Sequence, residues 1–290
     1  MVAVLAAVLV LVAGCGAGGR GTAREDNGGS PVREARESSP FPEPRDGTDA
    51  ARAEGDRGFL AAESSGGEAG AADQIEGVRF QIFDDYERLL LDFGRRDGEP
   101  ADVPRWSVES PPEGGYVRLH FPGVTSTEIA NEDFVGSILD ELYVVRDPGG
   151  GLFADVFAMH AFRYRVTELP ESGRLAVDLV RVREELELPP TTADEVVVLQ
   201  PREAEEVGSP LVVHGYARLF EGRVTVSLLG RDREVISSKT VRANDWTTAW
   251  GLFTATLEYS GYEGLARLRV GSSSPRDSSF VGTETEVFLK

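Results

Sequence analysis

The chain has 290 residues and carries 30 Lys and Arg against 49 Asp and Glu, a formal net charge of −19. That balance argues against nucleic acid, whose binding needs cationic side chains to displace phosphate counterions, and against adsorption to an anionic lipid surface. A single cysteine, Cys15, excludes an internal disulfide and any cysteine-built metal site.

In chain order, the first feature is an apolar run from Val2 to Ala13. It is a dozen residues long, short of the ~20 needed to span a bilayer. It ends in Val12-Ala13-Gly14-Cys15, which resembles a bacterial lipoprotein signal, although no Lys or Arg precedes the apolar run. The resemblance implies a signal peptide over residues 1–14, lipidation of Cys15, and an extracytoplasmic protein anchored to the cell membrane by that lipid. Residues 15–75 follow as an acidic segment, from Gly16 to about Asp73 built of Gly, Ala, Ser, Pro, Glu, Asp and Arg with almost no large apolar residues beyond Phe41, Phe59 and Leu60. Such a composition cannot offset its ordering entropy and predicts a disordered tether, which would span ~40 Å as a flexible coil.

Near residue 76 the pattern turns to period-2 alternation. Val78, Phe80 and Ile82 fall on one strand face with Arg79 and Gln81 on the other. After a turn at Asp84-Asp85, Leu89, Leu91 and Phe93 oppose Arg88 and Asp92. Further strands are predicted over 116–121, 139–145, 152–159, 162–167 and 174–180, with 126–132 turn-like and a strong turn at Asp147-Pro148-Gly149-Gly150-Gly151. No helical run has credible caps. The hairpins Val78–Phe83 with Tyr86–Phe93, and Tyr164–Thr167 with Arg174–Leu179, resemble the opening and close of an AMIN-like domain, here residues 76–183. AMIN domains are associated with targeting cell-wall amidases to peptidoglycan, so the resemblance implies a wall-binding β domain.

Residues 184–194 read as an acidic connector stiffened by Pro189-Pro190. Beyond it, strands are predicted at 196–199, 211–219, 223–229, 234–241, 251–259, 264–270 and 285–289. In the fifth of these Phe253, Ala255, Leu257 and Tyr259 point inward and Thr254, Thr256 and Glu258 outward. Pro201, Ser209-Pro210-Leu211, Val213, Gly215, Ala217, Phe220-Glu221, Gly251-Leu252-Phe253 and Val287-Phe288-Leu289 resemble the immunoglobulin-like domain of bacterial spore germination proteins. The resemblance covers residues 195–290 and implies an extracytoplasmic sandwich without its own chemistry. The expected fold class is therefore all-β, with two β-sandwich domains after a signal peptide and a tether.

Reactive constellations are missing from the sequence. It has no Gly-x-Ser-x-Gly elbow and no His-Glu-x-x-His spacing. His120, His160 and His214 each stand alone in predicted strands and are expected to be structural. No catalytic, cofactor-binding or metal-ligating residue is assigned, and the chain is expected to bind rather than catalyse. Arg79, Arg88, Arg163 and Arg165 lie opposite the apolar strand faces, where guanidinium groups can pair with carboxylates of a ligand such as peptidoglycan. Trp106 is the expected exposed aromatic of the first domain, and Trp246 and Trp250 are expected to pack in the core of the second. The expected partners are peptidoglycan or cell-envelope proteins. A structural or assembly subunit with protein contacts only stands as the alternative.

Overall fold

The computed structural model describes residues 59, 64–110, 114–169, 172–183, 190–193 and 195–290. Cys15, the expected signal peptide and most of the expected tether lie outside them. Twenty strands run in chain order, and no α-helix occurs among the described residues. The fold is all-β, as the alternation predicts.

The first half contains β1 (Ser64–Gly66), β2 (Gln74–Ile82), β3 (Glu87–Gly94), β4 (Trp106–Glu109), β5 (Tyr116–Phe121), β6 (Ser126–Thr127), β7 (Asn131–Asp133), β8 (Leu139–Arg146), β9 (Leu152–Ala158), β10 (Phe162–Leu169) and β11 (Arg174–Arg181). The second contains β12 (Thr191–Ala193), β13 (Val196–Gln200), β14 (Glu205–Val207), β15 (Leu211–Ala217), β16 (Arg223–Leu229), β17 (Val235–Arg242), β18 (Trp250–Leu257), β19 (Gly264–Ser273) and β20 (Phe280–Leu289).

Four local readings are corrected. The expected tether reaches residue 75, yet β1 pairs with β4 in register Ser65↔Ser107, and Ala72 and Ile75 belong to the core. Ser-Ser-Gly brings no apolar side chain of its own; backbone pairing holds it, so composition could not reveal it. Likewise β12, inside the expected connector, forms an edge strand on β13. The turn-like stretch 126–132 holds the two short strands β6 and β7. Ile82, expected to face inward, is 63% exposed, because it lies at the hairpin end where the opposing sheet no longer covers it.

Three sheets organise these strands. A five-stranded sheet, β10-β11-β3-β2-β6, packs against the β1-β4-β5-β9-β8 part of a ten-stranded sheet. Leu89, Leu91 and Phe93 on one side, with Leu119, Leu142, Val144 and Val156 on the other, fill the space between them. A second five-stranded sheet, β14-β20-β19-β16-β17, packs in the same way on the β18-β15-β13-β12 part. One sheet therefore runs through both halves. The joint is a parallel pairing of β18 with β8, limited to Trp250↔Val145 and Gly251↔Arg146.

The sheet folds sharply at that joint. On a flat sheet β9 and β15 would stand ~14 Å apart, three interstrand spacings, whereas the Phe153 and Tyr216 ring centroids are 6.2 Å apart. The crease encloses a third core of Tyr116, Tyr143, Val145, Phe153, Phe157, Val197, Leu199, Tyr216 and Trp250. Tyr143 meets Trp250 edge to face at 4.9 Å, the geometry that aromatic quadrupoles favour.

A buried carboxylate ties a loop to the first five-stranded sheet. Glu87, 2% exposed, accepts from the backbone N–H of Ser137 at 2.6 Å, Ile138 at 3.0 Å and Leu139 at 2.8 Å, and from the Ser137 hydroxyl at 2.8 Å. Burial alone would raise its pKa, but these donors outweigh burial and hold it below the ordinary carboxylate value. Gly136 permits the approach, since a Cβ there would stand 2.5 Å from a Glu87 carboxylate oxygen.

Candidate functional site

The outer face of the first five-stranded sheet carries the predicted arginines. Pairing registers set Gln81, Arg88, Asp178 and Arg165 in one cross-strand row. A second row holds Arg79, Leu90, Ala176 and Thr167, and a third Gly77, Asp92, Arg174 and Leu169. Asp178, fully buried, is gripped from both sides: Arg88 donates two hydrogen bonds at 2.6 and 2.9 Å, and Arg165 two more at 3.2 and 2.7 Å. Asp92 accepts two from Arg79 at 2.9 and 2.6 Å and one from Arg174 at 2.6 Å. Leu90 and Ala176, between the charged rows, are buried although they point away from the sandwich core.

Aromatic rings close over the first row. The Arg165 guanidinium lies 4.7 Å from the Phe59 ring centroid. Arg88 lies 5.4 and 5.6 Å from Phe83 and Tyr86, which stack on each other at 4.5 Å. Cation–π contacts contribute ~0.5–1 kcal/mol at exposed sites and ~2 kcal/mol or more when shielded from water. Arg79, Arg88 and Arg165 are thus brought together, but as partners of two aspartates inside the fold. Arg163, on the same face of edge strand β10, remains exposed.

Trp106 does not join them. It is 5% exposed, and its indole Nε1 donates to Glu168 Oε1 at 2.8 Å. The same oxygen accepts from the backbone N–H of Gly67 at 2.7 Å. The expected exposed aromatic is therefore buried: a carboxylate 62 positions away satisfies its N–H, so the ring can enter the core. Trp250 is buried, as expected. Trp246, expected in the core, is 37% exposed, because Asp245 Oδ1 accepts from the backbone N–H of Trp246, Thr247 and Thr248 and folds a tight turn outside the sandwich. His120 and His214 lie in β5 and β15, while His160 lies in a bend and not a strand. Among the described residues, no group of three or more His, Cys, Asp or Glu is placed to hold a metal ion.

The junction between the halves holds a polar cluster that no sequence motif announces. Asp155, fully buried, accepts from Arg118 Nε at 2.8 Å and Nη2 at 2.7 Å, and from the Tyr216 hydroxyl across the crease. Arg118 also lies 4.2 Å from the Phe153 centroid. Burial disfavours the Arg118 charge, but its hydrogen bonds to Asp155 outweigh burial and raise its pKa, so the guanidinium stays charged. Burial pushes the Tyr216 phenol well above its ordinary value and keeps it a donor. Around this cluster Arg146 pairs with Asp245 at 3.1 Å, and Asn244 Nδ2 donates to the Arg146 carbonyl at 3.0 Å. A signal for it does exist: Asp155 interrupts Leu152–Ala158, a strand otherwise apolar at every position, the pattern of burial on both faces.

The fold and these contacts define an all-β protein of two sandwiches locked together through a shared sheet, the second of them immunoglobulin-like. Residues 195–279 match the family model of the immunoglobulin-like domain of bacterial spore germination, and the chain carries that domain. The structure continues the same sandwich through β20, which pairs along its whole length with β19. No curated protein and no solved structure matches the chain.

Proposed function

We propose that this is a lipid-anchored, non-catalytic envelope protein, moored by Cys15, that binds peptidoglycan or wall-associated partners through its first half and other exported proteins through its second. The observation that carries the reading is the match of residues 195–279 to the immunoglobulin-like domain of bacterial spore germination. The AMIN-like alternation of residues 76–183 adds the wall. Its outer sheet face supports an anionic ligand through its concentration of guanidinium groups, Arg79, Arg88, Arg165 and Arg174 around Asp92 and Asp178, with Arg163 exposed beside them.

Sedimentation of the full chain with purified insoluble peptidoglycan tests this. Retention at low salt that weakens as salt rises is expected, with Arg163→Glu reducing it further. The second reading, an assembly subunit with protein contacts only, is favoured by the internal pairing of Arg79, Arg88 and Arg165. No retention at low salt, together with protein adducts on crosslinking in cells, would replace the first reading with the second.

A further inference from the structure

The outer face of the second five-stranded sheet contains a cross-strand pair that is unfavourable for folding. Arg223 and Arg242 stand directly opposite one another where β16 pairs with β17. Both alternate with inward Val224 and Val241 and are exposed. Neither has an acidic partner among the described residues, in a chain of net charge −19. Like charges placed directly opposite destabilise a sheet. Several other arginines on the sheet faces are given acids: Arg79 and Arg174 take Asp92, Arg88 and Arg165 take Asp178, and Arg269 takes Glu284.

Immediately past this pair the ladder ends in an exposed aromatic couple. Three residues before Arg223, Phe220 is 54% exposed; four after Arg242, Trp246 is 37% exposed. Their rings meet edge to face with centroids 5.3 Å apart. Both segments are held firmly. The N–H of Ala243 donates to the Gly222 carbonyl at 2.8 Å. Gly222 has φ +64° and would bring a Cβ to 2.9 Å from the Ala243 carbonyl. Glu221 sits at φ 57°, a left-handed conformation that costs a non-glycine residue free energy. Arg218 Nη2 reaches the Thr247 carbonyl at 3.4 Å, beside the indole. The chain spends stability to hold an aromatic face and two unneutralised guanidinium groups at one end of a sheet.

The geometry points to a binding site for a carboxylate-bearing glycan chain, with a sugar ring stacked on the Trp246 indole beside Phe220 and a carboxylate held by Arg223 and Arg242. Charge complementarity selects an anionic ligand, since planar guanidinium groups grip carboxylates bidentately. The open aromatic platform selects a polymer that lies across it, whereas a small ligand needs a concave pocket. This site lies on the other half from the proposed wall-binding face and goes beyond that reading. Its test needs neither export nor the lipid anchor, so either can fail alone.

The protein supplies its own reporter. Of three tryptophans, Trp106 and Trp250 are 5% and 1% exposed and Trp246 is 37% exposed, so quenching by neutral acrylamide reads chiefly Trp246. Polygalacturonate added to the full chain is expected to protect that emission, whereas neutral chitohexaose is not. Trp246→Phe should abolish the quenchable component, and Arg242→Gln should weaken protection about tenfold. Arg242→Gln should also raise the thermal midpoint by relieving the opposed charges, a gain that separates a binding role from a structural one. Equal protection by poly-L-glutamate would overturn the glycan assignment in favour of an acidic peptide. No protection by polygalacturonate, or a lowered midpoint in Arg242→Gln, would overturn the site itself.

Discussion

Asp155→Ala is expected to lower the unfolding free energy by about 3–5 kcal/mol, the cost of leaving a buried partner charge uncompensated. The carboxylate is fully buried and holds Arg118 through two hydrogen bonds and Tyr216 through a third. Removing it strands a guanidinium whose side chain is only 18% exposed, facing Phe153 and Tyr116. Replacing both members, as in Arg118→Met with Asp155→Leu, should cost far less than Asp155→Ala alone, because an apolar pair leaves no orphaned charge. Urea denaturation of the full chain measures both. A loss below ~1 kcal/mol for Asp155→Ala, the scale of a surface ion pair, would show that the cluster is solvated.

Trp250→Ala is expected to cost about 3–5 kcal/mol, the range for deleting a large buried aromatic. The indole is 1% exposed, packs edge to face on Tyr143 and donates to Asn131 Oδ1 at 3.3 Å. Its backbone also makes one of the two residue pairings that join the halves. The substitution therefore opens a cavity at the hinge line of the shared sheet. Loss of stability should be accompanied by separation of the unfolding transition into two, read by near-ultraviolet circular dichroism. An unchanged single transition with a loss under ~1 kcal/mol would mean that the crease does not couple the halves.

Much of this architecture was legible from alternation. Leu89, Leu91 and Phe93, and later Phe253, Ala255 and Leu257, declare a buried face by period 2, and each is buried. The joining of the halves was not, because the pairing of Val145 with Trp250 spans more than a hundred residues and depends on register. A weaker trace was present: Leu152–Ala158 and Val196–Leu199 are apolar at nearly every position and buried on both faces, which calls for a third layer beyond two ordinary sandwiches.

The arginine face shows the same division. That Arg79, Arg88 and Arg165 point away from the core follows from alternation. That Asp92 and Asp178 neutralise them follows only from register, since Asp178 lies ninety positions from Arg88. Trp106 depended on Glu168 in the same way. That Arg223 and Arg242 stand opposite each other likewise follows only from register.

One folded body underlies both sites: a continuous, creased sheet joins the two sandwiches, whose outer five-stranded sheets carry the arginine face and the aromatic platform. Differential scanning calorimetry of the full chain tests this most directly. It should give one endotherm whose van't Hoff enthalpy equals the calorimetric enthalpy, the mark of a single cooperative unit. Two resolved endotherms, each two-state by itself, would contradict it.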